Sequence, residues 1–198
     1  METAMLPVLE FPVSPDWYVP DERQCVRLWD KYGMMPHIRE HCRAVASVAV
    51  DIVRRAEARG LASAERGFSE AYALAGGLLH DLAKTYTIRH GGAHSQLGAA
   101  WVREETGNPA LAQAVLWHVS WPWEGSAMDD VGDPLRLPVI VAYADKRVRH
   151  ADIVSVQERF DDLMVRYGTD DEKRHSLEVH LAHSLAVEQA IFDRVGAL

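Results

Sequence analysis

Ala73-Leu74-Ala75-Gly76-Gly77-Leu78-Leu79-His80-Asp81-Leu82-Ala83-Lys84 is apolar for seven residues and then, without a break, ionisable for two. Its spacing predicts a helix over about Ser69–Leu82 with no polar face, and a helix that is apolar all round belongs at the centre of a core. His80 and Asp81 are therefore carried into the interior. Adjacent helical residues point about 100° apart, so this pair can serve neighbouring positions of one site without competing for space. Burying such groups costs several kcal/mol unless they are paired, hydrogen-bonded or bound to metal.

The flanking segments repeat the anomaly. Pro36 opens a long helix that runs to about Gly60, in which His41, Val45, Val48, Ala49 and Ile52 form one inward stripe. Gly91-Gly92 breaks the chain before a helix over about Ala93–Thr106, where His94 shares a face with Leu97 and Trp101. Asn108-Pro109 reads as an N-cap and first-turn proline opening a helix to about Val119, with His118 in line behind Leu111 and Val115. Ser120–Leu137 reads as a loop, and Pro138 starts a helix through about His150 that carries Asp145 behind Val141 and Ala142. A short helix over about Asp21–Tyr32 stops at Gly33. Two last helices open on the capping boxes Ser155-x-x-Glu158 and Thr169-x-x-Glu172, with Gly168 as the stop between them. No stretch sustains a two-residue alternation. The expected class is an all-α globule of about seven or eight helices.

A single inward histidine is most often a satisfied core residue. Five helices converging His and Asp on one interior point instead to a metal. Imidazole nitrogen with carboxylate oxygen suits Fe, Mn or Zn better than Ca or Mg, and a carboxylate can bridge two cations where an imidazole cannot. The rest of the chain bounds the reading. It has 198 residues, 21 Lys plus Arg against 29 Asp plus Glu, and a formal charge of -8, which disfavours duplex nucleic acid and anionic membrane as partners. No apolar run approaches the ~20 residues of a membrane span. Cys25 and Cys42, with no C-x-x-C spacing, fit buried thiols in a reduced, cytoplasmic setting. Residues 1–20 hold four of the nine prolines and read as an extended arm anchored by Trp17 and Tyr18, before one helical domain over 21–198. His90, His150, His175, His180 and His183 read as loop, surface or packing residues. Trp117, Trp121 and Trp123, beside His118, fit either packing or a stacked nucleobase.

The order His41-Cys-Arg-Ala-Val45-Ala46, Leu78-Leu79-His80-Asp81-Leu82-Ala83-Lys84, Tyr143-Ala144-Asp145-Lys146 resembles the signature of the HD-domain metal-dependent phosphohydrolases. His94-Ser-Gln-Leu-Gly98-Ala99 and Ala114-Val115-Leu116-Trp117-His118 resemble the two extra histidines of that family's dinuclear members, among them HD-type enzymes that split diadenosine tetraphosphate symmetrically. The resemblance covers roughly residues 37–165 and implies a compact HD-domain helical fold. It implies that His41, His80, Asp81 and Asp145 hold one divalent metal, and that Asp81 bridges to a second held by His94 and His118. Lys84 resembles the family's lysine that faces substrate phosphate. His37 lies one turn before His41, and by spacing alone either could be the ligand; the following Val-Ala favours His41, leaving His37 as a substrate or supporting contact.

The expected activity is hydrolysis of a phosphate ester or anhydride of a small nucleotide or related phosphate. Two first-row cations per chain, Fe, Mn or another, would activate water close to Asp81, while Lys84 and also Arg39 or Arg103 would neutralise the developing charge. Two other readings stand beside it: a di-iron oxygenase of the HD fold, and a non-catalytic, metal-stabilised module that binds nucleotide.

Overall fold

The computed structural model describes residue 14 and residues 16–61, 69–119 and 133–198. The first three prolines of the arm and the tryptophans at 121 and 123 lie outside these. Among the described residues the order is α1 (Glu22–Lys31), α2 (Pro36–Ala58), α3 (Glu70–Leu79), α4 (Lys84–His90), α5 (His94–Thr106), α6 (Pro109–Trp117) and α7 (Leu137–Lys146). A small hairpin of β1 (Val148–Arg149) and β2 (Asp152–Ile153) follows, then α8 (Val156–Tyr167) and α9 (Asp171–Val195). Among the described residues the fold is all-α, as expected, apart from this one short hairpin.

Helix α2 is the spine. One side of it, with Val45 and Ile52, packs on Ile140 of α7, Phe160 of α8 and Ile191 of α9. The other side, with Cys42 and Ala46, joins Trp29 of α1, Leu78 of α3, Val102 of α5 and Leu111 of α6. Two glycines let α3 lie very close to its neighbours. A Cβ on Gly77 would fall 2.4 Å from the Ala46 Cα, and one on Gly76 would fall 2.9 Å from the Val141 Cγ2. So α2 and α7 approach α3 through gaps that only glycine leaves, and His41 and Asp145 are drawn toward the end of α3. The Trp29 indole N–H donates to the Leu78 carbonyl (2.8 Å), one of the carbonyls that the end of α3 leaves unpaired. Cys25 and Cys42 are buried and unbridged.

Three boundaries and one anchor differ from the sequence reading. Helix α3 stops at Leu79 rather than Leu82: i→i+3 bonds from the Leu82 N–H to Leu79 and from the Lys84 N–H to Asp81 turn the chain, and Lys84 then opens α4. Helix α7 stops at Lys146 rather than near His150, because Val148 and Arg149 pair in register with Ile153 and Asp152. The last helix is capped by Asp170, whose carboxylate accepts from the Lys173 N–H (2.9 Å), and not by Thr169. An ionised carboxylate is the stronger acceptor for a helix N-terminus. Tyr18 anchors the arm by its backbone and not its ring, which is exposed: its carbonyl accepts from the buried Asn108 Nδ2 (3.1 Å). The Ser155–Glu158 capping box forms as expected, with reciprocal bonds of 2.9 and 3.1 Å.

Candidate metal centre

Most of the inward ionisable residues sit at helix ends. His80 caps α3, His118 caps α6, Asp145 is the penultimate residue of α7 and His94 is the first of α5. A helix C-terminus leaves carbonyls without intrahelical partners, and the imidazoles use them. His80 Nδ1 donates to the Gly77 carbonyl (2.7 Å), and His118 Nδ1 donates to the Val115 carbonyl (2.6 Å). His41, in the second turn of α2, donates from Nδ1 to the His150 carbonyl (2.8 Å) at the tip of the hairpin. His150 holds φ +57° there, a left-handed conformation unusual for a non-glycine residue. Each of these rings thus commits its Nδ1–H outward and turns Nε2 inward. A second-sphere hydrogen bond of this kind fixes the tautomer of a metal-ligating histidine.

The inward nitrogens meet on Asp81, a side chain that is 1% exposed. Its Oδ2 lies 3.4 Å from His80 Nε2 and 3.9 Å from His41 Nε2. Its Oδ1 lies 3.3 Å from His94 Nε2 and 3.5 Å from His118 Nε2, and those two nitrogens are 3.2 Å apart. Asp145 Oδ1 closes the first group, 3.0 Å from His41 Nε2 and 3.8 Å from His80 Nε2. Two sets of donor atoms, His41–His80–Asp81 and Asp81–His94–His118, are each close enough to converge on one ion.

The donors fit a cation better than they fit one another. His80 Nε2 and Asp81 Oδ1 are buried and make no hydrogen bond, although buried polar atoms are nearly always paired. Burial alone would raise the Asp81 carboxyl; Lys84, His80 and His118 outweigh it and hold it well below the usual carboxylate range. Asp145 is depressed likewise, burial being overcome by Lys146, His41 and His80. Burial pushes His94 down to about 4, and it lowers His118 as well. Both rings are therefore neutral at neutral pH, as metal ligands must be. His80 differs: despite burial, Cys42 and Asp81 beside it raise its pKa, so a cation bound there would displace its proton.

The other residues singled out in the sequence fall in different places. Lys84 Nζ lies 2.6 Å from Asp81 Oδ2, and despite burial the Asp81 and Asp145 carboxylates raise its pKa and keep it cationic. His37 is exposed, one turn before His41 on α2. Arg39 is not brought to the cluster: its guanidinium binds the Met34 carbonyl (2.8 Å), the Trp29 carbonyl (3.3 Å) and Asp30 (2.6 Å), stapling the turn between α1 and α2. Arg103 is exposed in the last turn of α5, about 13 Å along the axis from His94. Sequence reasoning missed two parts of the centre. One is the His150 carbonyl, a backbone group that no side-chain pattern can reveal. The other is Lys146, half-buried beside Asp145; a lysine directly after an inward aspartate was its only trace.

Residues 38–150, more than half of the chain, match the family model described as HD domain. The chain belongs to the HD domain family. The match takes in the six clustered residues and ends at His150, whose carbonyl orients His41. No solved structure matches the chain.

Proposed function

We propose that this HD domain protein is a metal-dependent phosphohydrolase with a dinuclear centre, acting on a small nucleotide or a related phosphate. One observation carries the reading: the two oxygens of a single buried carboxylate, Asp81, face two separate pairs of imidazole nitrogens. His41, His80, Asp81 and Asp145 would hold one ion, and Asp81, His94 and His118 the other. When bound, such a pair lowers the pKa of water and stabilises the attacking and leaving oxygens of an in-line displacement at phosphorus.

The chain's own residues supply the rest. The carbonyls of Gly77, Val115 and His150 hold three rings in the ligating tautomer. Lys84, with about a third of its side chain open to solvent, can offer its ammonium to a phosphoryl oxygen while remaining against Asp81. That places positive charge where negative charge accumulates in the transition state. The net charge of -8 disfavours duplex nucleic acid as the partner, which supports a small substrate held at the centre. Among the described residues no helix is long and apolar enough to cross a membrane. The buried free thiols Cys25 and Cys42 support a reduced, cytoplasmic setting.

The test is a screen of nucleotides and phosphate esters against chain loaded with Mn, Fe, Co, Ni or Mg, read as released phosphate or nucleotide with and without oxygen. Turnover that needs metal but no oxygen is expected. Nucleotide binding without product under every metal would establish the non-catalytic module instead, and a strict need for oxygen would establish the oxygenase.

A further inference from the structure

Lys146 is the last residue of α7, and 12% of its side chain is exposed. Its ammonium makes two contacts that join different parts of the centre. It lies 2.7 Å from Asp145 Oδ2, and it donates to the backbone carbonyl of His118 (3.1 Å), which is among the carbonyls left unpaired at the end of α6. Lys84, the other lysine of the centre, touches Asp81. By occupying Oδ2, Lys146 leaves Asp145 only Oδ1 to turn toward His41 and His80. By holding the His118 carbonyl, it fixes the residue whose Nε2 faces Asp81 Oδ1 from the opposite side.

We propose that Lys146 is a positioning residue that couples the two metal pockets, tying the orientation of Asp145 in the first to that of His118 in the second. The inference rests on the two-pocket reading above. It differs from the role given to Lys84 because Lys146 is less open to solvent, 12% against 35% of the side chain, and its ammonium joins residues of two different helix ends. Outer-sphere partners of metal ligands typically matter by ten- to a hundredfold in affinity, and one ammonium with two such partners extends that effect to both ions.

The test is Mn titration of the full chain by calorimetry, with Lys146→Met introduced alone and in two backgrounds. His118→Ala leaves the first pocket to be read by itself, and His41→Ala leaves the second. Melting of the chelated chain is measured alongside. Lys146→Met is expected to weaken binding at least about tenfold in both backgrounds, with the metal-free melting temperature close to that of its parent. Weakening in one background alone overturns the coupling, as does unchanged affinity with a raised KM, which would make Lys146 a substrate contact. If Lys146→Met fails to fold, Lys146→Gln keeps a polar group in place and is judged by the same criteria. A wild-type chain that takes up one ion or none overturns the two-pocket reading and this proposal together. A wild-type chain with two ions, both unaffected by the variants, overturns this proposal alone.

Discussion

At the scale of the residue, the centre depends on which atom of each side chain is left free. Asp81 contributes one oxygen to each group of nitrogens. Asp81→Ala is therefore expected to remove both ions and to lower phosphohydrolase turnover at least about a hundredfold, since it removes the group that holds the Lewis acid. His94→Ala and His118→Ala should each leave about one ion per chain, held on the His41 side. Elemental analysis of chain purified without chelator checks all three, and equal metal in the Asp81 variant and its parent would refute the assignment. Lys84→Met separates a substrate contact from a ligand: metal content should hold while turnover falls. The six clustered residues were legible because each breaks an otherwise apolar stripe, and the cost of burying it demands a partner. Arg39 misled because its charge and nearness in sequence to His41 carry no sign of the three acceptors of the α1–α2 turn that claim it.

At the scale of the element, helix ends do much of the work. The sequence predicts one helix through about Leu82 because the apolar run from Ala73 carries no helix-stopping residue there. The break at Leu79 depends instead on a tertiary demand: His80 turns Nδ1 back to Gly77, and Asp81 is set at the centre of the cluster. The hairpin after α7 was equally illegible, since two-residue strands are too short to show an alternation. The Gly76-Gly77 pair was visible in the sequence, but only its neighbours reveal its use. Gly77→Ala would drive a methyl group into the Ala46 backbone. Overpacking of this kind costs about 1–3 kcal/mol, which for a chain of this length is a loss of roughly several degrees in Tm. Because the same contact sets His41 beside His80, metal affinity should fall with stability. A Gly77→Ala chain with the parent's Tm but weakened metal binding, or the reverse, would separate two effects that the packing of α2 on α3 joins.

For the whole molecule, a centre made from five helices links metal, protons and folding. Ions that bind only the folded chain stabilise it by mass action, so chelation should lower Tm, and restoring Mn should recover it. Acid acts on the same groups. Burial holds His94 down to about 4 in the folded chain, whereas in the unfolded chain it titrates at about 6.5. Between these values the unfolded state takes a proton that the folded state refuses, so the contribution of His94 to stability is fully present above about pH 6.5 and is lost as pH falls toward 4. His80, raised in the folded chain, contributes with the opposite sign, fully below about pH 6.5 and less as pH rises. The loss attributable to His94 is at most about 3 kcal/mol, since a quarter of its side chain meets solvent. Asp81 and Asp145 act in a lower window. Their depressed pKa values stabilise the fold above the ordinary carboxylate range, and that contribution disappears as pH falls through their folded values. Denaturant melts of chelated chain at intervals from pH 7 to 4 should therefore show a decline that begins near 6.5 and is shallower in His94→Gln, which has no proton to take. Parallel declines in the two chains would mean that His94 is not held neutral by burial. With Mn present the decline should steepen, because protons then also compete with the ion for the same imidazoles.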